Sequence, residues 1–227
     1  MKVKKAWCFF EQSGTFRDKF KELGIEAVDC DIQNQYGKTD YQINLFKEIR
    51  KAYEGEKSIF DNIDTDDLIF AFYPCVRFSK QINLEFLQLA PHYKSKQLSQ
   101  RLEYARKLEH ERAELWDDLC KFLIIVAERK LKLIIENPYS EEHYLTRYFF
   151  IKPAIIDYNR RERGDFFVKP TQYFFIGCEP SYNTDALFKP MIMQKNYKRI
   201  ENIPSSSKER SEISPEYAEQ FIEEFIL

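Results

Sequence analysis

Residues Leu68-Ile69-Phe70-Ala71-Phe72 carry no polar side chain, and a strand with two apolar faces must be covered on both of them. That run argues against a sheet with one wet face and asks for helices above and below a central strand. The rest of the chain supplies strands and helices in alternation. Residues 3–10 read as a first strand and 15–23 as a helix that Gly24 stops. Residues 26–31 read as a second strand, 40–45 as a short third one, and a helix continues through Tyr53. Residues 67–73 form the fourth strand. Residues 81–130 look helical with one break at Pro91, charge-rich at first, then amphipathic through Leu115, Leu119, Phe122 and Leu123. Residues 131–136, 154–158 and 171–177 read as the remaining strands, 204–207 as a loop, and 215–226 as a closing amphipathic helix. The predicted fold class is α/β: a doubly wound, mostly parallel sheet in a single domain over 1–227, with an inserted helical segment at about 81–112.

Composition narrows the function classes. No apolar stretch reaches the roughly 18 residues that span a bilayer, so no membrane partner is expected. The first residues run straight into a strand without a small-residue cleavage site, and the 5 cysteines are odd in number and scattered. Both point to reduced thiols and a cytoplasmic location. No cysteine pair has metal-ligand spacing, nor do His92, His110 and His143, so no metal is expected. The net charge of −2 gives no overall basic footprint. Local clusters exist nonetheless: Lys94, Lys96, Arg101, Arg106, Lys107 and Arg112 in one, and Arg160, Arg161, Arg163 and Lys169 in the other.

In doubly wound sheets ligands sit beyond the carboxyl ends of the strands, and the chemistry-bearing residues fall at those ends. After the first strand, Phe10-Glu11-Gln12-Ser13-Gly14-Thr15 makes a turn whose glycine lets the backbone approach a ligand, with Ser13 and Thr15 suited to capping the helix. Asp29 and Asp31 end the second strand, where an acid can accept both ribose hydroxyls. Tyr73-Pro74-Cys75 follows the central strand, so the thiol stands past a strand end rather than in the core. Arg77 is close enough in sequence to lower its pKa. Cys8, Cys30, Cys120 and Cys178 read as packing residues. Glu136-Asn137-Pro138 ends the next strand in a carboxylate that needs a partner or a function. Asn159-Arg160-Arg161-Glu162-Arg163 supplies cations, with Arg161 and Arg163 at alternate positions and therefore on one side if the segment is extended.

Together these segments resemble the cytosine-5 DNA methyltransferases, in that family's order and approximate spacing. Pro74-Cys75 with Phe78-Ser79 is similar to the Pro-Cys…Phe-Ser signature, and Glu136-Asn137-Pro138 to its Glu-Asn element. Asn159–Arg163 is similar to Gln-x-Arg-x-Arg, Lys169-Pro170-Thr171 to a segment of phage-type members, and Arg210…Ile213-Ser214-Pro215-Glu216 to the late element before their last helix. Phe10 and Gly14 match the first turn, where Gln12 replaces an expected glycine. Thr39-Asp40-Tyr41 resembles the segment whose acid meets the adenine amino group.

The resemblance implies a Rossmann-like S-adenosylmethionine methyltransferase. Phe10, Gln12, Ser13, Gly14, Thr15, Asp31, Asp40 and Pro74 would hold S-adenosyl-L-methionine. Cys75 would add to cytosine carbon-6, with Glu136, Arg161 and Arg163 acting on the base. DNA, or another cytosine-containing nucleic acid, would be the partner, and DNA methylation the activity. Only a short stretch separates Arg163 from Arg210, too little for the family's large target-recognition domain. The alternative is a catalytically inactive module of the same fold that binds nucleic acid or a protein. A weaker one reads Asn137-Pro138-Tyr139 as an amino-methyltransferase motif.

Overall fold

The computed structural model describes residues 1–89, 91–183 and 212–227. A seven-stranded sheet in the order β3-β2-β1-β4-β5-β7-β6 forms its middle layer. Its strands are β1 (Lys5–Phe9), β2 (Glu26–Asp31), β3 (Tyr41–Gln42), β4 (Leu68–Ala71), β5 (Lys132–Pro138), β6 (Ile155–Asp157) and β7 (Thr171–Ile176). From β3 to β5 all neighbours are parallel, and β7 runs antiparallel between β5 and β6. The architecture is α/β and compatible with a Rossmann-like fold.

The apolar run does lie at the centre, and alternation along each strand divides its side chains between two cores. Trp7, Phe9, Ile69, Ala71, Leu133 and Ile135 face one side, where α2 (Leu45–Tyr53), the second half of α4 (Leu98–Glu128) and α5 (Tyr144–Tyr148) cover them. Ala6, Cys8, Leu68, Phe70 and Ile134 face the other, beneath α1 (Thr15–Glu22) and α6 (Pro215–Phe225). Each covering helix buries residues at helical spacing: Phe16 and Phe20 on α1, Leu45, Ile49 and Ala52 on α2, Tyr217, Phe221 and Phe225 on α6. The start of α6 is fixed by Ser214, whose hydroxyl accepts from Tyr217 N at 3.0 Å, with Pro215 in the first turn.

The expected insertion takes a different form. Residues 80–93 make two 3-10 turns (Lys80–Ile82, Pro91–Tyr93) and the single-turn α3 (Asn83–Phe86). Gln88 adopts a left-handed backbone with φ 55°, which no helix continues through, so helical structure breaks before Pro91 as well. Residues 98–112 are the first half of the 31-residue α4, continuous with the half that covers the sheet. The loop at 204–207 and Arg210 lie outside the described residues. Among the described residues no helix is long and apolar enough to cross a membrane.

Because β1, β2, β4 and β5 are parallel, their carboxyl ends share one rim, and the reversed β7 enters the sheet at that same rim. Thr171 at the start of β7 is opposite Pro138 at the end of β5. At its far end β7 leaves through Gly177, φ 69°, where an added Cβ would press into the Leu131 carbonyl oxygen. We expect Gly177→Ala to lower stability by at least about 2 kcal/mol, a Tm loss of roughly 4–8 °C. Gly37→Ala, at φ 65° with open space around it, should lose only about 1 kcal/mol of backbone preference. Equal losses in thermal melts of the two variants would contradict the close passage of β7's exit against β5.

Candidate active site

Two anchors place Cys75. On its amino side Tyr73 is buried, its hydroxyl donating to Leu115 O of α4 at 2.7 Å. On its carboxyl side Phe78 is buried and stacks on Tyr144 of α5 at 5.6 Å between ring centroids. Between them the Cys75 carbonyl accepts from Phe78 N at 2.9 Å and Ser79 N at 3.0 Å, so the chain turns tightly about the cysteine itself. Asn137 ties this loop to the tip of β5, its Nδ2 donating to Tyr73 O at 2.9 Å. Tyr73 is thus the pillar that sets the loop. Pro74 and Cys75 are half-buried.

Alternation along β5 puts Asn137 on the Tyr73 side and Glu136 on the other, with Ile134 and the α6 layer. Glu136 is 7% exposed. Its Oε1 lies 3.9 Å from Arg160 Nη1 and has no hydrogen-bond partner among the described residues. Arg160 is fully buried, 2.5 Å from Asp165 Oδ2 through Nη2, and its guanidinium stacks over Tyr217 at 4.5 Å. Although that ion pair is close, none of the three guanidinium nitrogens has an aligned acceptor.

Electrostatics join Cys75 to this group. Burial raises the thiol's pKa, the nearby Glu136 charge raises it further, and Lys169 opposes both. Lys169 itself is lowered, first by burial and then by Arg160, while Glu136 and Cys75 pull it back up. Cys8 and Cys30 are also raised by burial, but they sit fully inside the two cores, and Cys120 and Cys178 are half-buried elsewhere.

Three expectations need correction. Asn159 is not followed by an extended segment: Arg160–Arg163 is a 3-10 turn capped by Gly164 at φ 89°. At about three residues per turn Arg160 and Arg163 share a face, and Arg161 lies on a different one. Arg160, not Arg161, therefore meets Glu136. Arg163 is held by Glu224 of α6 through Nε and Nη2 at 2.9 and 3.0 Å and sits 3.2 Å from Asp157, a clamp between the turn and α6. Half-buried Arg161 stays on the same turn. Second, Arg77 turns from the thiol to Glu111 of α4 at 2.6 Å, because a long helix unrelated in sequence passes beside it. Lys169 is the cation whose charge reaches the thiol. Third, Ser13 and Thr15 are not the main cap of α1: Ser13 Oγ accepts only from Thr15 N, at 3.4 Å. Gly14 takes the cap position in a left-handed conformation, φ 71°, and the buried Glu11 accepts from Phe16 N at 2.8 Å and Arg17 N at 3.2 Å instead. Ser13 and Thr15 bond to one another at 3.1 Å.

Sequence reasoning also missed Arg160, Asp165 and Lys169 as site residues. The signal for Arg160 is Gly164, a stop that makes a short turn of 160–163. Lys169 carried no such signal, because its place at the rim follows from the reversal of β7.

The first two βα turns make a second region of the same rim. Phe10, φ 59°, is an aromatic residue in the left-handed region, with its ring 5.3 Å from Phe46 and 5.4 Å from Tyr73. Through Tyr73 it links this region to the Cys75 loop. Arg17 fills the space beneath Gly14 and pairs with Asp29 at 2.9 Å and Asp40 at 3.4 Å, while it also donates to Lys38 O. Asp29 and Asp40 exchange hydrogen bonds with each other's backbone N–H, at 2.6 and 3.1 Å. Asp40 is thus an internal brace between the second strand and α1. Asp31 differs: half-buried at the tip of β2, it uses Oδ1 to accept from Gln33 N at 2.6 Å, and burial raises its pKa. Ile32 beside it is 57% exposed, an apolar surface next to an acid. Gln12 donates to Gln33 Oε1 at 3.2 Å, and its own Oε1 is buried with no hydrogen-bond partner among the described residues.

These groups suit a nucleoside bearing an amino acid: Asp31 for hydroxyls, Ile32 for the flat base, Gln12 Oε1 as acceptor for an ammonium. The amino end of α1, however, is taken by Glu11. Among the described residues no group of three or more His, Cys, Asp or Glu is arranged to hold a metal ion. In comparison with known proteins, no family model and no curated protein matches this chain.

Burial pushes Glu11 up to about 7, so the folded state binds its proton more tightly than the unfolded chain does. Its stabilising effect is complete below the ordinary carboxylate range and is lost as pH rises through about 7. Between pH 5 and 8, wild type should lose roughly 2–3 kcal/mol relative to Glu11→Gln, measured by urea titration at each pH. Parallel stability curves for the two proteins would show that Glu11 titrates normally.

Proposed function

We propose that the chain is a compact S-adenosylmethionine-dependent cytosine-5 methyltransferase acting on DNA. One observation carries the reading. A thiol and a carboxylate 61 positions apart in sequence come to the same carboxyl rim, close enough for the Glu136 charge to act on Cys75, and Glu136 Oε1 and the Arg160 guanidinium are buried there without aligned partners. Buried polar groups left so are uncommon, and a pyrimidine edge offers the donors and acceptors they lack. The sheet order with its reversed β7 supports the Rossmann-like methyltransferase type that the resemblance implies.

In this reading the target cytosine leaves its stack and enters the rim beside Cys75. The Cys75 thiolate donates an electron pair to carbon-6. The ring π electrons shift through carbon-4 to nitrogen-3, which takes a proton from Glu136, and an enamine results with its nucleophilic end at carbon-5. Arg160 orients Glu136, and its unaligned N–H groups make it, rather than Arg161, the proposed donor toward the pyrimidine oxygen. Gln12, Asp31 and Ile32 would hold the cofactor, which supplies the electrophilic methyl group that carbon-5 takes. Loss of the carbon-5 proton to a base then restores the double bond and expels the thiolate, and nitrogen-3 returns its proton to Glu136.

The test is transfer of tritium from cofactor labelled in its methyl group to cytosine-containing DNA. Wild type should transfer label, Cys75→Ser should transfer none, and Glu136→Gln should be slowed about 10²–10⁴-fold. If wild type labels no DNA, RNA or free cytosine nucleotide, the enzyme reading fails. The Gln12–Gln33 hydrogen bond across the cofactor region and the occupied amino end of α1 favour a second reading, an inactive module that binds nucleic acid or protein. Calorimetry separates the two: heat and a thermal shift with the cofactor support the enzyme, and neither appears for the inactive module.

A further inference from the structure

We propose that Lys169 is the residue that stabilises the Cys75 thiolate, its charge acting on the sulfur through space from the entrance to β7. The inference rests on the reading above only for the identity of the substrate; the thiol itself reports on it.

Backbone geometry fixes where Lys169 stands. Thr171 is opposite Pro138 in the β5–β7 ladder, and its hydroxyl donates to Lys169 O at 2.9 Å. One residue further, Pro170 O accepts from Tyr139 N at 2.8 Å. The segment 169–171 is thereby strapped to the tip of β5, two residues beyond Glu136. The Cys75 loop is strapped to the same tip from the other side by Asn137. A lysine on one strap and a cysteine on the other thus flank the tip of β5 that carries Glu136.

The charged groups around the pair come from three elements. β5 contributes Glu136, the turn after β6 contributes Arg160 and Asp165, and the loop after β4 contributes Cys75. Asp165 is engaged by Arg160 at 2.5 Å, so the inner acid is already matched by the inner guanidinium. Arg77, the other nearby cation by sequence, is committed to Glu111. Among the described residues no hydrogen bond or ion pair within 4 Å engages Lys169 Nζ, which leaves its charge free to act on sulfur. When the thiol ionises its proton goes to solvent, Lys169 keeps all three of its own, and the sulfur retains the electron pair that forms the bond to carbon-6. Lys169 is thus a positioning residue for charge: it acts on the substrate through the sulfur.

The test measures the rate of Cys75 alkylation by iodoacetamide from pH 6 to 10, with the modified residue identified by peptide mass mapping. Lys169→Met should move the midpoint up by about one pH unit and slow alkylation about tenfold below it. Lys169→Arg should stay within about threefold of wild type, since the charge is kept. Glu136→Gln should move the midpoint down. A Lys169→Met profile that superimposes on wild type overturns the proposal, as does an Arg77→Met variant that shifts the thiol in its place. Should Lys169→Met fail to fold, the reciprocal experiment decides. Coupling is mutual, so Cys75→Ser must lower the midpoint for competitive acetylation of Lys169 in the folded protein, and an unchanged midpoint overturns the assignment. A thiol that shifts as expected in a protein that transfers no methyl group supports Lys169 and removes the methyltransferase reading alone.

Discussion

Arg160 has no contact with water, and the carboxyl rim is organised around that burial. Taking a guanidinium out of solvent costs several kcal/mol unless acids and donors surround it. Here Asp165 stands at 2.5 Å, Glu136 at 3.9 Å, and the Tyr217 ring lies beneath the charge. Each neighbour comes from a different part of the chain, so placing one arginine brings together the turn after β6, the tip of β5 and α6. The same acids are then fixed on the sheet side of the rim. Tyr217 extends the network to Tyr173 at 2.7 Å and Asp157 at 3.1 Å, and Arg163 closes it against Glu224. Removing Asp165 or Arg160 would leave a buried, unmatched charge, a loss of about 3–5 kcal/mol, so both are retained by the fold whatever the rim does chemically.

The fold was legible because its signals are local. The apolar run at 68–72 needs cover on both faces wherever it sits, and strands alternating with amphipathic helices leave few other arrangements. The placement of Cys75 and Glu136 at one rim was legible for the same reason: Cys75 follows β4, Glu136 lies near the end of β5, and parallel strands deliver their ends to one rim. The misreadings share a different cause. Whether Arg160 or Arg161 faces Glu136 depends on whether the backbone repeats every two or every three residues, and four polar residues in a row carry no hydrophobic period to decide it. Arg77 is two residues from Cys75 in sequence, yet Glu111 reaches it through a helix that no local pattern places there. Lys169 and Cys75 are 94 residues apart, and only the β5–β7 pairing makes them neighbours.

Four acids gather near the first two turns, and their partners sort them. Asp29 and Asp40 are locked to each other's backbone and to Arg17, and Glu11 is spent on the amino end of α1. Asp31 is left at the strand tip with one oxygen in a local turn and an exposed isoleucine beside it. The packing that withdraws three acids is what gives the fourth its isolation, since Arg17 satisfies both Asp29 and Asp40 from below the Gly14 turn. A ligand with vicinal hydroxyls and a flat base would therefore meet a single acid here rather than a diffuse acidic patch.

On the proposed reading, the first half of α4 is the segment that the sequence offers for contacting nucleic acid, and its charges are arranged against that use. Arg106 pairs with Glu103, Arg112 with Glu109, and Lys107 and Arg77 with Glu111, mostly at the i,i+3 and i,i+4 spacings of a self-neutralised helix. Phosphate contacts from these side chains would have to displace carboxylates already in place, which weakens the salt-dependent attraction on which nonspecific binding relies. On the proposed reading, selection of substrate then falls to the rim, where Glu136 and Arg160 meet a base edge at short range. If that reading holds, a chain built this way would discriminate bases through the pocket and hold duplex weakly, which suits a target already unpaired better than one that must be read within a helix.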